Sequence, residues 1–544
     1  MLKKTAFTSM LVMLSSMLVI LAFNSDGLAQ AKRGGTIVEG LGAEPTNLDI
    51  FKAGRRPELT ILRLIIEPLV VPNEKLEVVP LLARSWNVSK DQLTWTFTLN
   101  RGIKFHDGTP LNAEAVKFSI ERHKKGIAAV LLTAVKEVQV VNEYTVAFKL
   151  ERPFPGLLDN LAQFAVGIVS PTAVQKAGSD WGSKVIVGTG PFKFKNWVSG
   201  DRINLERFEG YKHGPSFLTN RGPAYVDEWV VRFLLEPTTL IGELTEGNVD
   251  LTNYITERDA AKVKSHPNTD LKMVKSTIPV YLVINCAQQN ERYNDLRVRQ
   301  ALTHAVNKEV VIKAAMFGIG DPLYTPLAPN IKGFSKEAEE IGKRVNSYDP
   351  EQAKKLLDEA GWKAIDKDGV REKDGKKLDV DFLAFTIAGF KQTAEVVIPM
   401  LEAVGFKPKL QVLEAGDLYQ RVLARNFDLL STSQVTSQAI ALNDLVRGYH
   451  SKSIGTILQW SHYNNPEMDR LLDTAQFSLD SKERAKALVE AHKLSVEDVP
   501  VVPIANQMGL FGYKKTLGGV DNYFKHPLAY SQLDGYRALE IYKR

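Results

Sequence analysis

The stretch of sequence that decides the fold covers residues 80–122 and reads PLLARSWNVSKDQLTWTFTLNRGIKFHDGTPLNAEAVKFSIER. Apolar side chains alternate with threonines across residues 93–99, which is the period of a half-buried β-strand. Asp107 and Gly108 then supply a turn. Asn112 stands where a helix N-cap belongs, and Glu114 lies in the positively polarised first turn that follows it. This block therefore predicts a strand, a tight turn and a helix, in that order.

Further motifs follow outside this block. The mostly apolar residues 61–69 predict a helix that runs to Pro68. GTGPF at residues 188–192 predicts a tight turn into a strand. NDLRVRQALTHAVNKEVV at residues 294–311 predicts a helix capped by Asp295, and SYDPEQAKKLLDEAGW at residues 347–362 predicts one capped by Asp349. VPVVPI at residues 499–504 predicts a returning strand.

Taken in this order, the motifs resemble the family 5 extracytoplasmic solute-binding proteins, which are the receptors of dipeptide, oligopeptide and nickel ABC importers. The resemblance covers nearly the whole chain after residue 31. It implies an α/β, two-lobed periplasmic binding protein fold (type II, cluster C) with an extra subdomain inserted in the first lobe. It also implies that the protein binds a solute and is not an enzyme.

The resemblance also implies the domain boundaries. The first lobe would cover residues 32–284, with the inserted subdomain at about residues 72–186. The second lobe would cover residues 285–504, and residues 505–544 would return to the first lobe. The chain would cross between the lobes near residues 281–286 and again near residues 502–507.

The amino-acid composition excludes some classes of protein. The 544 residues are 44% hydrophobic and 24% charged, with 69 basic and 63 acidic side chains and a formal net charge of +6. Positive and negative side chains are mixed along the chain and form no basic stripe, which predicts no nucleic-acid partner. The single cysteine, Cys286, rules out an intramolecular disulfide and is expected to be a small buried hydrophobe.

Residues 1–31 have the pattern of a secretory signal peptide. Lys3 and Lys4 form a basic start, residues 6–23 are mostly apolar, and Ala29-Gln30-Ala31 is a small-x-small cleavage site. An uncleaved membrane anchor is the alternative, since ~18 apolar residues nearly span a bilayer. No cysteine for lipidation stands near the cleavage site. We therefore expect an exported, periplasmic protein whose signal peptide is cleaved.

Catalytic and metal-binding patterns are weak. His106 and Asp107 are the only adjacent His/Asp pair, and no nucleophile motif accompanies them, so we predict no catalytic residues and no cofactor. An exported hydrolase is the alternative from another class. The nine histidines lack metal-ligand spacing, which predicts no metal site. A nickel-binding receptor remains the second alternative, with His450 and His462 in the lobe where a ligand would lie.

Several candidate binding residues follow strand residues 427–433. In peptide-binding relatives, an aspartate in the matching segment pairs with the ligand's α-ammonium. Here residues 436–438 hold no acid, and a buried ammonium without a carboxylate would cost several kcal/mol. The polar run instead offers hydroxyl and amide groups. We predict that the ligand contacts the side chains of Gln434, Thr436, Ser437 and Gln438.

Two further groups of residues are candidates for ligand contact. Arg55 and Arg56 lie in a loop that the family sets against the solute, where a guanidinium favours a carboxylate or phosphate. Trp460 would stack on a ligand ring. The expected ligand is a polar or anionic small solute of peptide-like, opine or sugar-acid type, and not a simple peptide held by its α-ammonium. The expected partner is the membrane permease of an ABC importer, contacted transiently by a monomer.

Overall fold

The computed structural model describes residues 32–386, 389–433, 439–456, 458–524 and 535–544. Its largest sheet has eleven strands and mixes parallel with antiparallel pairs. In spatial order its strands are Lys407–Leu413, Asp379–Phe385, Leu429–Ser433, Thr269–Ile284, Val501–Lys514, Leu251–Thr252, Thr36–Leu41, Glu228–Phe233, Arg202–Arg207 and Phe192–Val198, with Asp321–Pro322 paired to Val501–Lys514.

Two long antiparallel strands, Thr269–Ile284 and Val501–Lys514, lie in the middle of this sheet and run through both halves of the molecule. Their pairing is irregular between Lys275 and Pro279. Buried side chains on the two sides of this point belong to different clusters. We therefore use first lobe for residues 32–275 and 508–544, and second lobe for residues 279–506.

Besides its part of the large sheet, the described part of the first lobe carries three smaller sheets and seven α-helices. A four-stranded antiparallel sheet is built from Ala83–Val88, Thr94–Leu99, Thr145–Leu150 and Val135–Asn142. Two-stranded sheets pair Val70–Pro72 with Val78–Pro80 and Leu517–Gly518 with Tyr542–Lys543. The α-helices are Arg56–Leu62, Ala113–His123, Leu157–Leu161, Pro171–Ala177, Pro237–Glu246, Ala260–Ser265 and Val520–Tyr523.

The second lobe is richer in helix. Its α-helices are Glu291–Asn294, Leu296–Ala305, Lys308–Ala315, Lys336–Val345, Pro350–Glu359, Phe390–Glu402, Ala415–Leu423, Ala441–Tyr449, Pro466–Phe477 and Ser481–Glu497. A three-stranded sheet joins Ala364–Ile365, Arg371–Lys373 and Lys376–Lys377. The mixed α/β content confirms the predicted fold class. Buried apolar side chains of the second lobe form one cluster around residues 280–284 and another around the helix Ala441–Tyr449. Cys286 packs against both clusters, and burial raises the pKa of its thiol to about 11.

Capping residues behave as the sequence predicts. The Asn112 side chain accepts a hydrogen bond from the backbone of Ala115 at 3.0 Å, and the helix Ala113–His123 follows. Asp295 and Asp349 cap the helices Leu296–Ala305 and Pro350–Glu359 through their side chains. Each cap satisfies a backbone N–H that the first helical turn leaves without a partner.

The helix predicted over residues 61–69 is wrong. The observed helix, Arg56–Leu62, begins earlier, with Pro57 in its first turn, and ends before Arg63. Residues 64–66 are fully buried and continue toward the strand Val70–Pro72. A short, mostly apolar segment has no period that separates a helix from a buried extended segment, so the sequence pattern could not decide between them.

A buried ion pair ties the first helix to the sheet of the first lobe. Arg63 is 2% exposed, and its Nη2 lies 3.3 Å from Oε1 of Glu39. Arg63 also donates to the Tyr523 hydroxyl at 2.9 Å, and the Trp229 indole donates to Glu39 at 2.8 Å. Burial raises the pKa of Glu39, and the Arg63 charge opposes that shift. Each member of the ion pair thus has a further hydrogen bond that holds it in place, Arg63 with Tyr523 and Glu39 with Trp229.

The inserted region and the lobe boundaries stay predictions. The four-stranded sheet lies within residues 72–186, yet its buried side chains share one cluster with the rest of the first lobe. Side chains of residues 280–284 pack in the second-lobe cluster. The lobes also touch directly: Lys332 pairs with Asp159 at 2.5 Å, and Arg152 stacks over Phe477 at 3.8 Å from its ring centroid.

Candidate functional site

Strands of the second lobe end at the edge that faces the first lobe. Asp379–Phe385, Lys407–Leu413 and Leu429–Ser433 are parallel, so their carboxyl ends meet at one edge. Ser433 pairs with Val280, which directly follows the irregular pairing between the lobes. In open α/β sheets, ligands bind outside the carboxyl ends of the strands. The region beyond Ser433 is therefore the expected ligand-binding edge of this lobe.

A cavity of about 210 Å³ lies at this edge of the second lobe. Aromatic, aliphatic and hydroxyl groups line it, together with one guanidinium. The lining residues are Tyr281, Val283, Tyr419, Ser433, Arg447, Gly448, Tyr449, Leu458, Trp460, Ser461 and Val501. They come from strands, helices and loops that are far apart in sequence, so the cavity exists only in the folded chain.

Two aromatic rings of the cavity lining, those of Trp460 and Tyr419, cluster with the buried ring of Phe385. The Trp460 ring lies 5.9 Å from that of Phe385 and 6.2 Å from that of Tyr419, measured between centroids. The rings are tilted, which is a favourable arrangement for aromatic pairs. The structure thus places Trp460 in the cavity lining. Its role in stacking on a ligand stays a prediction.

The polar wall comes from the helix Ala441–Tyr449. Arg447 is half-buried and lines the cavity, and the Tyr449 hydroxyl is buried without a hydrogen-bond partner in the described part of the chain. Asp444 lies on the same helix and is 1% exposed, and its Oδ2 likewise lacks a described hydrogen-bond partner. Burial raises the pKa of Asp444 to about 8, and the charge of Arg447 opposes that shift.

This pKa decides the charge of the cavity. A carboxyl group with a pKa near 8 is mostly protonated at neutral pH, so Asp444 does not cancel the charge of Arg447. Among the described lining residues, Arg447 is the one Lys, Arg, Asp or Glu. Arg447 therefore brings a guanidinium to the cavity lining, a group that favours an anionic group on a ligand.

The Asp444 pKa gives a testable pH dependence. Its folded-state pKa lies above the ordinary aspartate value of 3.8, so the folded protein keeps a proton that the unfolded chain has already lost. This contribution to stability is complete below pH ~4 and is lost as the pH rises to about 8, with a slope of about 1.4 kcal/mol per pH unit. In urea unfolding, the free energy of unfolding of Asp444→Asn should therefore rise steadily relative to that of the wild type across that range.

The matched control is Asp368→Asn, at an exposed position. Its free energy of unfolding should differ from that of the wild type by the same amount at every pH. A constant difference for Asp444→Asn would mean that Asp444 is ionised in the folded protein at neutral pH.

Both predicted arginines lie in the first lobe, at the start of its first helix. The Arg55 guanidinium lies 3.7 Å from Glu58 and is 56% exposed. Arg56 donates to the backbone oxygen of Asn253 at 2.7 Å and lies over the Tyr254 ring at 4.5 Å. Neither arginine is among the residues that line the second-lobe cavity. Their contact with a ligand stays a prediction.

The carboxyl-end edge of the first lobe carries buried polar groups as well. Asn253 directly follows the strand Leu251–Thr252, is 3% exposed, and has no described hydrogen-bond partner on its side-chain oxygen or nitrogen. Asn506 lies in the long strand between the lobes and is fully buried. Its side-chain oxygen and nitrogen also have no described hydrogen-bond partner. Buried amides normally find partners, so both are candidates to bind a ligand or a water molecule.

Gln434, Thr436, Ser437 and Gln438 lie outside the residues that the structure describes. The preceding residue, Ser433, is described and lines the cavity. The predicted contacts of these four side chains with a ligand therefore stay predictions.

His106 and Asp107 do not form a catalytic pair with each other. His106 is buried, its Nε2 lies 2.9 Å from the backbone oxygen of Gly190, and burial lowers its pKa to about 4. Asp107 instead accepts hydrogen bonds from Ser170 at 2.6 Å and from Thr109 at 2.5 Å. Both residues therefore serve the packing of the turn that they occupy.

The two histidines weighed for nickel have separate partners. His450 lies 3.2 Å from Asp469 and 3.4 Å from Asp473, and His462 lies 2.8 Å from the backbone oxygen of Val422. Within the part of the chain that the structure describes, no group of three or more His, Cys, Asp and Glu side chains could hold a metal ion. No helix in that part is long and apolar enough to cross a membrane.

Sequence reasoning missed Arg447, Tyr449, Tyr281 and Tyr419. Arg447 and Asp444 are three residues apart in a helix whose pattern otherwise indicates only a buried face. Their spacing is a weak signal, since i, i+3 charge pairs are common on helix surfaces. Tyr281 appears in the sequence as one residue of a strong strand. Only the packing of these elements brings the side chains to one cavity.

Comparison with known proteins supports the resemblance. Residues 77–455 match the family described as bacterial extracellular solute-binding proteins, family 5. The chain is 28% identical over 524 residues to the oligopeptide-binding protein AppA of Bacillus subtilis, covering 92% of each chain. The structure of AppA in complex with a nonapeptide matches with a TM-score of 0.74 and 26% identity, over 95% of this chain and 100% of AppA.

A second solved structure matches equally well. The PBP AgaA from A. tumefaciens R10, in complex with agropinic acid, has a TM-score of 0.74 and 26% identity, and covers 94% of this chain and 99% of AgaA. The two-lobed periplasmic binding protein fold is thus confirmed. Such proteins bind solutes for ABC importers and are not enzymes, which sets aside the hydrolase alternative. The chain belongs to family 5 of the bacterial extracellular solute-binding proteins.

Proposed function

We propose that this protein is the periplasmic binding component of an ABC importer and captures a small anionic solute of opine or sugar-acid type. The observation that carries the proposal is the second-lobe cavity, in which Arg447 faces an aromatic wall that includes Trp460. A guanidinium pairs with a carboxylate through two parallel hydrogen bonds, while rings cover the apolar part of a solute.

The size of the cavity supports a compact ligand. At about 210 Å³ it is below the ~300–1,000 Å³ of usual ligand pockets, so it suits a small solute or one group of a larger one. AgaA is described with agropinic acid and AppA with a nonapeptide, and the chain is equally similar to both. The arginine in the cavity favours the acid over an ammonium group.

The transport cycle follows from the two lobes. The long strands Thr269–Ile284 and Val501–Lys514 are irregularly paired between the lobes, where a small change in backbone angles would rotate one lobe against the other. Solute binding would stabilise the closed arrangement, in which Lys332 and Asp159 are paired across the lobes. A permease would then recognise the closed monomer.

A thermal-shift screen of the mature protein tests the ligand class. A ligand that binds only the folded form stabilises it by about 2.7 kcal/mol at 100 times its Kd, and so raises Tm. We expect agropinic acid or a sugar acid to raise Tm more than tripeptides, neutral sugars or Ni²⁺. A shift with Ni²⁺ alone would favour the nickel-receptor alternative.

Export is tested separately. Because Ala29-Gln30-Ala31 precedes Lys32, we expect the exported chain to begin at Lys32 and to fractionate with the periplasm. Intact mass spectrometry of the exported protein measures this directly. Recovery of the chain in the membrane fraction with residues 1–31 retained would favour the uncleaved anchor instead.

A further inference from the structure

A second cavity, of about 450 Å³, opens in the first lobe. Two segments form most of it: the turn that follows the strand Thr94–Leu99 and the loop that follows the strand Arg202–Arg207. Five basic side chains line it, namely Arg84, Arg101, Lys212, His213 and Arg221.

No acidic residue in the described lining balances the arginine and lysine side chains. The described lining of the cavity contains no Asp or Glu, and none of its arginine or lysine side chains forms an ion pair with a described carboxylate. Nearby Arg207, by contrast, pairs with Glu209 at 2.7 Å and with Asp227 at 2.8 Å. In a chain with 69 basic and 63 acidic residues, such an unbalanced concave cluster is a local concentration of positive charge.

Contacts outside the cavity hold His213 in place. Its Nε2 lies 2.7 Å from Glu67, a fully buried carboxylate. Glu67 is fixed in turn by the Tyr211 hydroxyl at 2.7 Å and the Thr189 hydroxyl at 2.8 Å. The imidazole therefore has one orientation, set by a buried network rather than by solvent.

Contacts with neighbouring groups also orient two of the arginines that line the cavity. Arg221 donates through Nε to the backbone oxygen of Gly214 at 2.9 Å, and its terminal nitrogens have no described hydrogen-bond partner. The Arg101 guanidinium lies over the Tyr144 ring, 5.2 Å from the centroid. Side chains that are already oriented lose less conformational entropy when they bind a ligand.

We propose that this basic cavity binds a compact polyanion that carries phosphate groups. Arginine forks match phosphate oxygens with paired hydrogen bonds, and three of the four arginine and lysine side chains in the lining are arginines. The volume of about 450 Å³ lies within the usual range for small-ligand sites. The site lies in the other lobe from the solute cavity, so it is independent of the transported ligand. The phosphate can come from a soluble phosphate ester or from a lipid headgroup.

Binding experiments on the mature full chain test the proposal with two probes. Pyrophosphate, followed by calorimetry, represents the soluble source. Co-sedimentation with phosphatidylcholine vesicles, with and without phosphatidic acid, represents the headgroup. We expect binding to at least one probe, and we expect it to weaken with added salt because Arg84, Arg101, Lys212 and Arg221 are exposed. Binding to pyrophosphate alone assigns the soluble source, and binding to phosphatidic acid alone assigns the lipid.

Charge-matched variants separate this site from general surface charge. Arg84→Gln with Arg221→Gln should weaken binding by at least ~10-fold, because each loses a charge-assisted contact. Arg258→Gln with Arg344→Gln removes two exposed arginines elsewhere and should leave binding unchanged. Arg84→Gln alone serves if the double variant folds poorly. Absence of binding to both probes at low salt, or equal weakening by the two double variants, would overturn the proposal.

Discussion

Replacing Arg447 by glutamine is expected to weaken the binding of an anionic solute by about 10–100-fold, which corresponds to the loss of one charge-assisted contact. Arg447 lines the second-lobe cavity, and the neighbouring Asp444 is mostly protonated at neutral pH. Asp444 therefore needs no charged partner when the guanidinium is removed, and thermal unfolding of the variant checks that it folds. Calorimetry with agropinic acid as the probe measures the change.

Two matched variants make this result specific. Arg447→Lys keeps the charge but loses the planar fork, so its affinity should fall between those of the wild type and of Arg447→Gln. Arg344→Gln removes an exposed arginine of the same lobe and should bind as the wild type does. Full affinity in Arg447→Gln would show that this cavity does not hold the acidic group of the solute.

Replacing Arg63 by methionine is expected to destabilise the protein by about 3–5 kcal/mol, since it leaves Glu39 buried without its charged partner. Glu39 is 1% exposed, and burial already raises the pKa of its carboxyl group. Without Arg63 that pKa should rise further. The unfolded chain then releases the Glu39 proton at a lower pH than the folded chain does, so the destabilisation should grow as the pH rises. Urea unfolding at several pH values measures both effects.

The double variant Glu39→Gln with Arg63→Met removes both charges and should recover part of the lost stability. Lys52→Met provides a surface comparison, because Lys52 is 75% exposed and lies 3.8 Å from Asp49. Surface pairs of this kind contribute about 0–1 kcal/mol. Equal destabilisation by Arg63→Met and Lys52→Met would contradict the assignment of Arg63 to a buried ion pair.

Local chemistry made much of the fold predictable. Asn112, Asp295 and Asp349 cap helices where the sequence places them, because a short polar side chain before an apolar-periodic segment has few other uses. The segment at residues 61–69 resisted prediction, because a short, mostly apolar segment carries no period that separates a helix from a buried extended chain. The sequence pattern alone does not give the sheet order, since strand pairing depends on contacts between distant residues.

The candidate site was predictable only in part. Trp460 was identified, and the structure places it in the cavity lining. Arg447 and Tyr449 were not, because a helix face that packs against a neighbour looks the same in sequence whether or not a cavity lies beside it. Protonation of Asp444 is also a property of the fold, because burial sets it.

The most direct test of the account is a calorimetric titration of the mature protein with agropinic acid, trialanine and N-acetyl-trialanine. Arg447 in the cavity lining predicts that agropinic acid binds and that trialanine, which carries an α-ammonium group, does not bind with micromolar affinity. Micromolar binding of trialanine that is lost on N-acetylation would contradict the account. An ammonium group would then be the recognised feature, and the buried carboxyl of Asp444 would be its first candidate partner.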